Sequence, residues 1–72
     1  MEWDKQIESW GFQWVNDYVE RAFTVHNGRE ISIMAFEDDE FEVAWLDADN
    51  NVREKGVTGM EELKAVVDEL RK

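Results

Sequence analysis

Carboxylates are the reactive side chains this sequence supplies in number. Between Glu30 and Val52 stand Glu30, Glu37, Asp38, Asp39, Glu40, Glu42, Asp47 and Asp49, with no lysine or arginine among them. Paired carboxylates such as Glu40 and Glu42 could act as general acid and base, but only in a pocket that drives their pKa values apart. Seventy-two residues leave little volume for one. Asp47, Asp49 and Asn51 match the first, third and fifth ligand positions of a calcium loop. The sixth position, which needs glycine, is Val52, and the twelfth, which needs a bidentate glutamate, is Thr58. The short polar run therefore reads as a solvated turn. His26 is the sole histidine, and Ser9, Thr24, Ser32 and Thr58 are the aliphatic hydroxyls; none has a recognisable nucleophile–base setting. There is no cysteine. The expectation is a protein that is not an enzyme, with no catalytic residues, no metal and no cofactor.

What remains for the carboxylates is recognition. In the plain reading, Glu37 to Glu40 form a hydrophilic turn that keeps a hydrophobic hairpin soluble. In the sharper one, carboxylates stand in for phosphates and occupy a basic groove. Strand spacing puts Glu40 and Glu42 about 7 Å apart, comparable to successive phosphates on one strand. The acids are not evenly spread: the Glu30–Val52 segment carries −8, and the rest of the chain only −2 of the total −10. Such a charge repels DNA, RNA and anionic membranes and favours basic protein surfaces. The expected partner-binding residues are Glu37, Asp38, Asp39, Glu40, Glu42, Asp47 and Asp49. In size and charge the chain resembles the small inhibitors that phages encode against host or defence machinery, several of which imitate DNA. That likeness implies an inhibitor of a nucleic-acid-handling protein.

The elements that must position these residues form one α+β domain over residues 1–72. At the N-terminus Trp3, Ile7, Trp10, Trp14 and Tyr18 fall on one sector of a 3.6-residue wheel, which predicts an aromatic-faced helix over about 3–16. Gly11 weakens it, and the alternative is a helix ending near Trp10 with Phe12 to Val15 extended. At the C-terminus Thr58 and Glu61 have capping-box spacing. Met60, Leu63, Val66, Val67 and Leu70 then make an apolar stripe, with Arg71 and Lys72 at the negative end of the helix dipole.

Between the helices the chain reads as an antiparallel meander of three to four strands, over about 19–26, 30–37, 40–48 and a short piece after Asn51. Asn27-Gly28 is a type I′ turn signal that pairs His26 with Arg29 and Thr24 with Ile31. Asp38-Asp39 as a second two-residue turn would pair Phe36 with Phe41, Met34 with Val43 and Ser32 with Trp45. These registers put Phe23, Val25, Met34, Phe36, Phe41, Val43 and Trp45 on one face, and Ala22, Thr24, Ile31, Ile33, Ala35, Ala44 and Leu46 on the other. Both faces are apolar, so either each helix covers one face, or both helices cover the first and the second meets another chain. Ile31, Ile33, Ala44 and Leu46 are then the contact of a homodimer or adaptor. In that register Glu30 faces Asp47, a like-charge pair for Arg29, Arg53 or a partner's base to neutralise, Arg53 being the simplest. The tryptophans read as core.

The N-terminus carries acid where a signal peptide carries base, and no apolar run reaches membrane-spanning length. With no cysteine the composition suits a reducing compartment, and the expected location is the cytoplasm.

Overall fold

The computed structural model describes residues 2–16, 20–37 and 39–72. Tyr18 and Asp38 lie outside the described residues. Helix α1 (Glu2–Ser9) is followed by strands β1 (Gln13–Asn16), β2 (Glu20–His26), β3 (Arg29–Glu37), β4 (Glu40–Leu46) and β5 (Val52–Thr58), and helix α2 (Met60–Leu70) closes the fold. The strands form one antiparallel sheet in the order β1-β2-β3-β4-β5.

The α+β meander is as the sequence led us to expect, with five strands in place of three or four. The additional strand comes from the N-terminal segment. Gly11 adopts φ +92°, a conformation open to glycine and strained for other residues, so the aromatic wheel breaks there. Residues 13–16 turn back to pair with β2, Trp14 opposite Ala22. Trp14 keeps its partnership with α1 from the strand: its indole N–H donates to the Asp4 carbonyl at 3.1 Å, and its ring meets Trp3 edge-on at 5.6 Å. Trp3 in turn packs edge-on against Phe41 at 5.6 Å. Trp3, Trp10 and Trp14 pack, partly buried, against the core from the helix, the turn that follows it and the strand.

The first hairpin follows its turn signal. Asn27 and Gly28 have φ 53° and 77°, and His26↔Arg29, Thr24↔Ile31 and Phe23↔Ser32 are the observed pairs. The second departs from it. Glu37↔Glu40 pair across the expected two-residue turn, but beyond it the ladder runs Ala35↔Phe41, Ile33↔Val43 and Ile31↔Trp45, with a bulge at Phe36. The pairings Phe36–Phe41, Met34–Val43 and Ser32–Trp45 are therefore each one residue out. Two demands compete here: the tight turn fixes one register, while burial needs Ile31, Ile33, Phe41 and Val43 on one face. The extra residue lets both be met. Phe36 is left 57% exposed.

With that shift, one face holds Ala22, Ile31, Ile33, Phe41, Val43 and Val57, all buried, together with Ile7 of α1 and Leu63 and Val67 of α2. Both helices lie on this face. The expected apolar stripe of α2 is observed, but its capping box is not. Thr58 belongs to β5, and the N-cap is Gly59 (φ 88°, ψ 155°) with no side-chain cap. The Thr58 N–H points instead toward Glu62 Oε2 at 3.4 Å. At the far end of α2, Arg71 lies 5.0 Å over the Phe12 ring, tying the helix to the α1–β1 junction.

Candidate protein-binding face

Ladder pairs share a side, so the second face of the sheet can be read off strand by strand. One row across the strands is Val15, Arg21, Met34, Glu42 and Gly56; the next is Gln13, Phe23, Ser32, Ala44 and Glu54. A third holds Val25 with Glu30, and Leu46 with Val52. None of these residues is buried, and neither α1 nor α2 crosses them. Val25 and Val52 are 64% and 67% exposed.

The expectation for the second face is corrected accordingly. Ile31 and Ile33 are 3% and 0% exposed beneath the helices, so they cannot meet another chain. Ala44 and Leu46 do lie on the uncovered face. They share it with Phe23 and Met34, which the unbulged register had assigned to the opposite side, because the Phe36 bulge exchanges β4 relative to β2 and β3.

The acidic residues divide into three settings. Glu37 and Glu40 sit directly opposite each other at the β3–β4 tip, both exposed, with Glu42 half-buried two residues along β4 on the side Glu40 occupies. Asp39, exposed in the same turn, is held by its backbone, where its carbonyl accepts the Gly59 N–H at 2.7 Å. The tip is thereby fastened to the β5–α2 junction. Phe36 borders a shallow depression with Glu40, Glu42, Gly56 and Thr58.

Asp47 has another task. Its carboxylate accepts the N–H groups of Asp49 and Asn51 at 2.9 and 3.0 Å and the Arg53 Nε–H at 2.8 Å. The Asn51 N–H, the Arg53 side chain and the Asp49 N–H, in that order, hold its carboxyl below the ordinary carboxylate value. This is the architecture of a turn, completed by Asn50 at φ 63°. Asp49 is exposed beside it. Glu30 does not face Asp47: it lies opposite Val25 and forms a 3.9 Å ion pair with Arg21, while Arg53 serves Asp47. Glu37, Asp39, Glu40 and Glu42 are thus brought together, and Asp47 and Asp49 lie at the other end of the sheet.

The chain matches no family model, no curated protein and no solved structure. Its face must be read from its own geometry.

Sequence reasoning missed Glu54, which stands opposite Ala44 on the uncovered face, and Phe36 as a surface residue. Period-two alternation in β5 was the signal for Glu54; nothing local marked Phe36. On the helix side, two grooves of about 370 and 420 Å³ flank Trp45. One lies between the β2–β3 turn, with His26 and Arg29, and the C-terminal end of α2; the other runs between α2 and Lys55. Both mix acids and bases: Lys72 is paired with Glu69 at 3.0 Å in the first. Among the described residues no His, Asp and Glu side chains group as a metal site, and no helix is long and apolar enough to cross a membrane.

Proposed function

We propose that this chain is a non-catalytic cytoplasmic binding protein that occupies a basic, nucleic-acid-handling surface of a partner, acting as an inhibitor in the manner of a nucleic-acid mimic. The observation that carries the reading is the Glu37–Glu40 pair, two like charges directly opposite on neighbouring strands, with Glu42 beside them. Directly opposed like charges destabilise a hairpin. A solubilising turn has no need of that arrangement, whereas a cationic partner turns it into attraction.

The test is affinity capture from nuclease-treated lysate, by the parent chain and by the triple variant Glu37→Lys, Glu40→Lys, Glu42→Lys. The reading expects nucleic-acid-binding proteins on the parent, released by high salt and absent from the variant. Retention of the same proteins on both chains would refute it.

A second reading is self-association through the uncovered sheet face, favoured by the apolar side chains Phe23, Met34, Ala44 and Leu46 there. The edge strand β5 is a poorer route to a dimer. A two-fold antiparallel pairing of β5 with itself aligns odd residues with odd and even with even, so no register sets Glu54 against Arg53 or Lys55 and no cross-strand ion pair is gained. Solution scattering at high micromolar concentration separates the readings, since a monomer there excludes the homodimer.

A further inference from the structure

Resting on the reading of the tip as a binding element, we infer that the contact extends over the whole uncovered face of the sheet, and that its occupant is a protein segment in which basic side chains alternate with large apolar ones. A bare phosphate-binding surface would use only the carboxylates. The geometry provides more. Beyond the Phe36 depression at the tip, a second depression opens at the opposite end, lined by Glu30, Ser32, Ala44, Trp45, Leu46 and Val52.

Each is a shallow depression that sets apolar side chains beside carboxylates. At the tip, Gly56 leaves open space where a side chain would stand, and Glu40 and Glu42 border it. At the other end Glu54 stands opposite Ala44. The separation along β4, from Glu42 to Leu46, is about 13 Å at strand spacing. A segment with two apolar anchors at that distance, each next to a lysine or arginine, fills both depressions and pairs with both sets of acids.

Charge decides among occupants. The described part of the face sets Glu30, Glu37, Glu40, Glu42 and Glu54 against Arg21, and Glu30 already engages Arg21. A second copy laid face to face would oppose acid to acid, and nucleic acid would be repelled. A basic and apolar protein segment meets both the charge and the exposed apolar surface.

The experiment selects a library of random 16-residue peptides displayed on phage against the folded chain, then measures the recovered peptides as synthetic compounds. The inference expects peptides that interleave Lys or Arg with at least two large apolar residues. It expects their affinity to fall at least tenfold on Ala44→Glu or Leu46→Ser, with the parent's circular dichroism retained, and to stay unchanged on Ala65→Glu in α2. Recovery of basic peptides without apolar anchors, weakened by Glu40→Lys and indifferent to Ala44→Glu, would overturn the inference and leave the reading of the tip standing. Recovery of neutral or acidic peptides, indifferent to Glu40→Lys, would overturn both. Recovery of no binding peptide would overturn the inference, as would a dimer in solution scattering that Ala44→Glu dissolves.

Discussion

The two faces of the sheet carry comparable numbers of apolar side chains and have opposite fates. On one, Ile31, Ile33, Phe41 and Val43 are sealed by Ile7, Leu63 and Val67. On the other, Phe23, Met34, Ala44 and Leu46 lie among carboxylates, with neither α1 nor α2 above them. Hydrophobicity alone does not distinguish the faces; the charges interleaved with it do. The core face carries charge at its margins, from Arg29 at the start of β3 and from Arg53 and Lys55 on the edge strand β5. The uncovered face receives acid on β3, β4 and β5 alike. An antiparallel sheet needs only one covered face to be stable, which leaves the other free for a partner.

That contrast can be broken in order of effect. Truncating the sealed face, as in Ile31→Ala or Leu63→Ala, should cost about 2–5 kcal/mol in urea unfolding, while Leu46→Ala on the uncovered face should cost less than about 1 kcal/mol. Equal losses would mean the faces are not distinct.

Deleting Phe36 is a sharper probe of how the faces were assigned. Removing a residue from a strand interior ordinarily exchanges every side chain beyond it between faces. Here the deletion leaves Ala35↔Phe41 followed directly by Glu37↔Glu40, a regular ladder. The variant should fold with a loss of less than about 2 kcal/mol. Loss of a cooperative transition would contradict the bulge.

At the far end of the sheet, Asp47→Asn keeps the turn's shape and removes the charge that Arg53 meets. The parent's Asp47 is held below the pKa it has when unfolded, so its contribution is complete above that unfolded value and is lost as pH falls through the lowered folded one. The variant should be less stable than the parent at neutral pH, with the difference vanishing in acid. A pH-independent difference would remove the electrostatic explanation. The smallest effect belongs to the tip, where Glu40→Gln should raise stability by a few tenths of a kcal/mol by relieving Glu37, more at low ionic strength. A loss at low ionic strength would show that the pair is not strained.

The first hairpin was legible because its determinant is local: Asn27-Gly28 prescribes both the turn and the register. The second was not, although Asp38-Asp39 correctly indicated a two-residue connection. Its register depends on which residues the helices bury, and that demand acts from residues 7, 63 and 67. No window around Phe36 contains it. The α2 stripe was legible from its 3.6-residue period. Its start was not, because pairing with β4 holds Thr58 in β5, where it cannot serve as a cap. The acidic tip could be read from composition, while its union with an apolar face required the register.

Ile33 and Met34 are neighbours in β3 on opposite sides of the sheet, so one pair of substitutions tests the central claim most directly. Ile33→Glu and Met34→Glu are compared by urea unfolding followed by circular dichroism. The account expects Ile33→Glu to abolish the folded state, because it puts an unpaired carboxylate into the sealed core, and Met34→Glu to unfold within about 1 kcal/mol of the parent. A folded Ile33→Glu beside an unfolded Met34→Glu would contradict it.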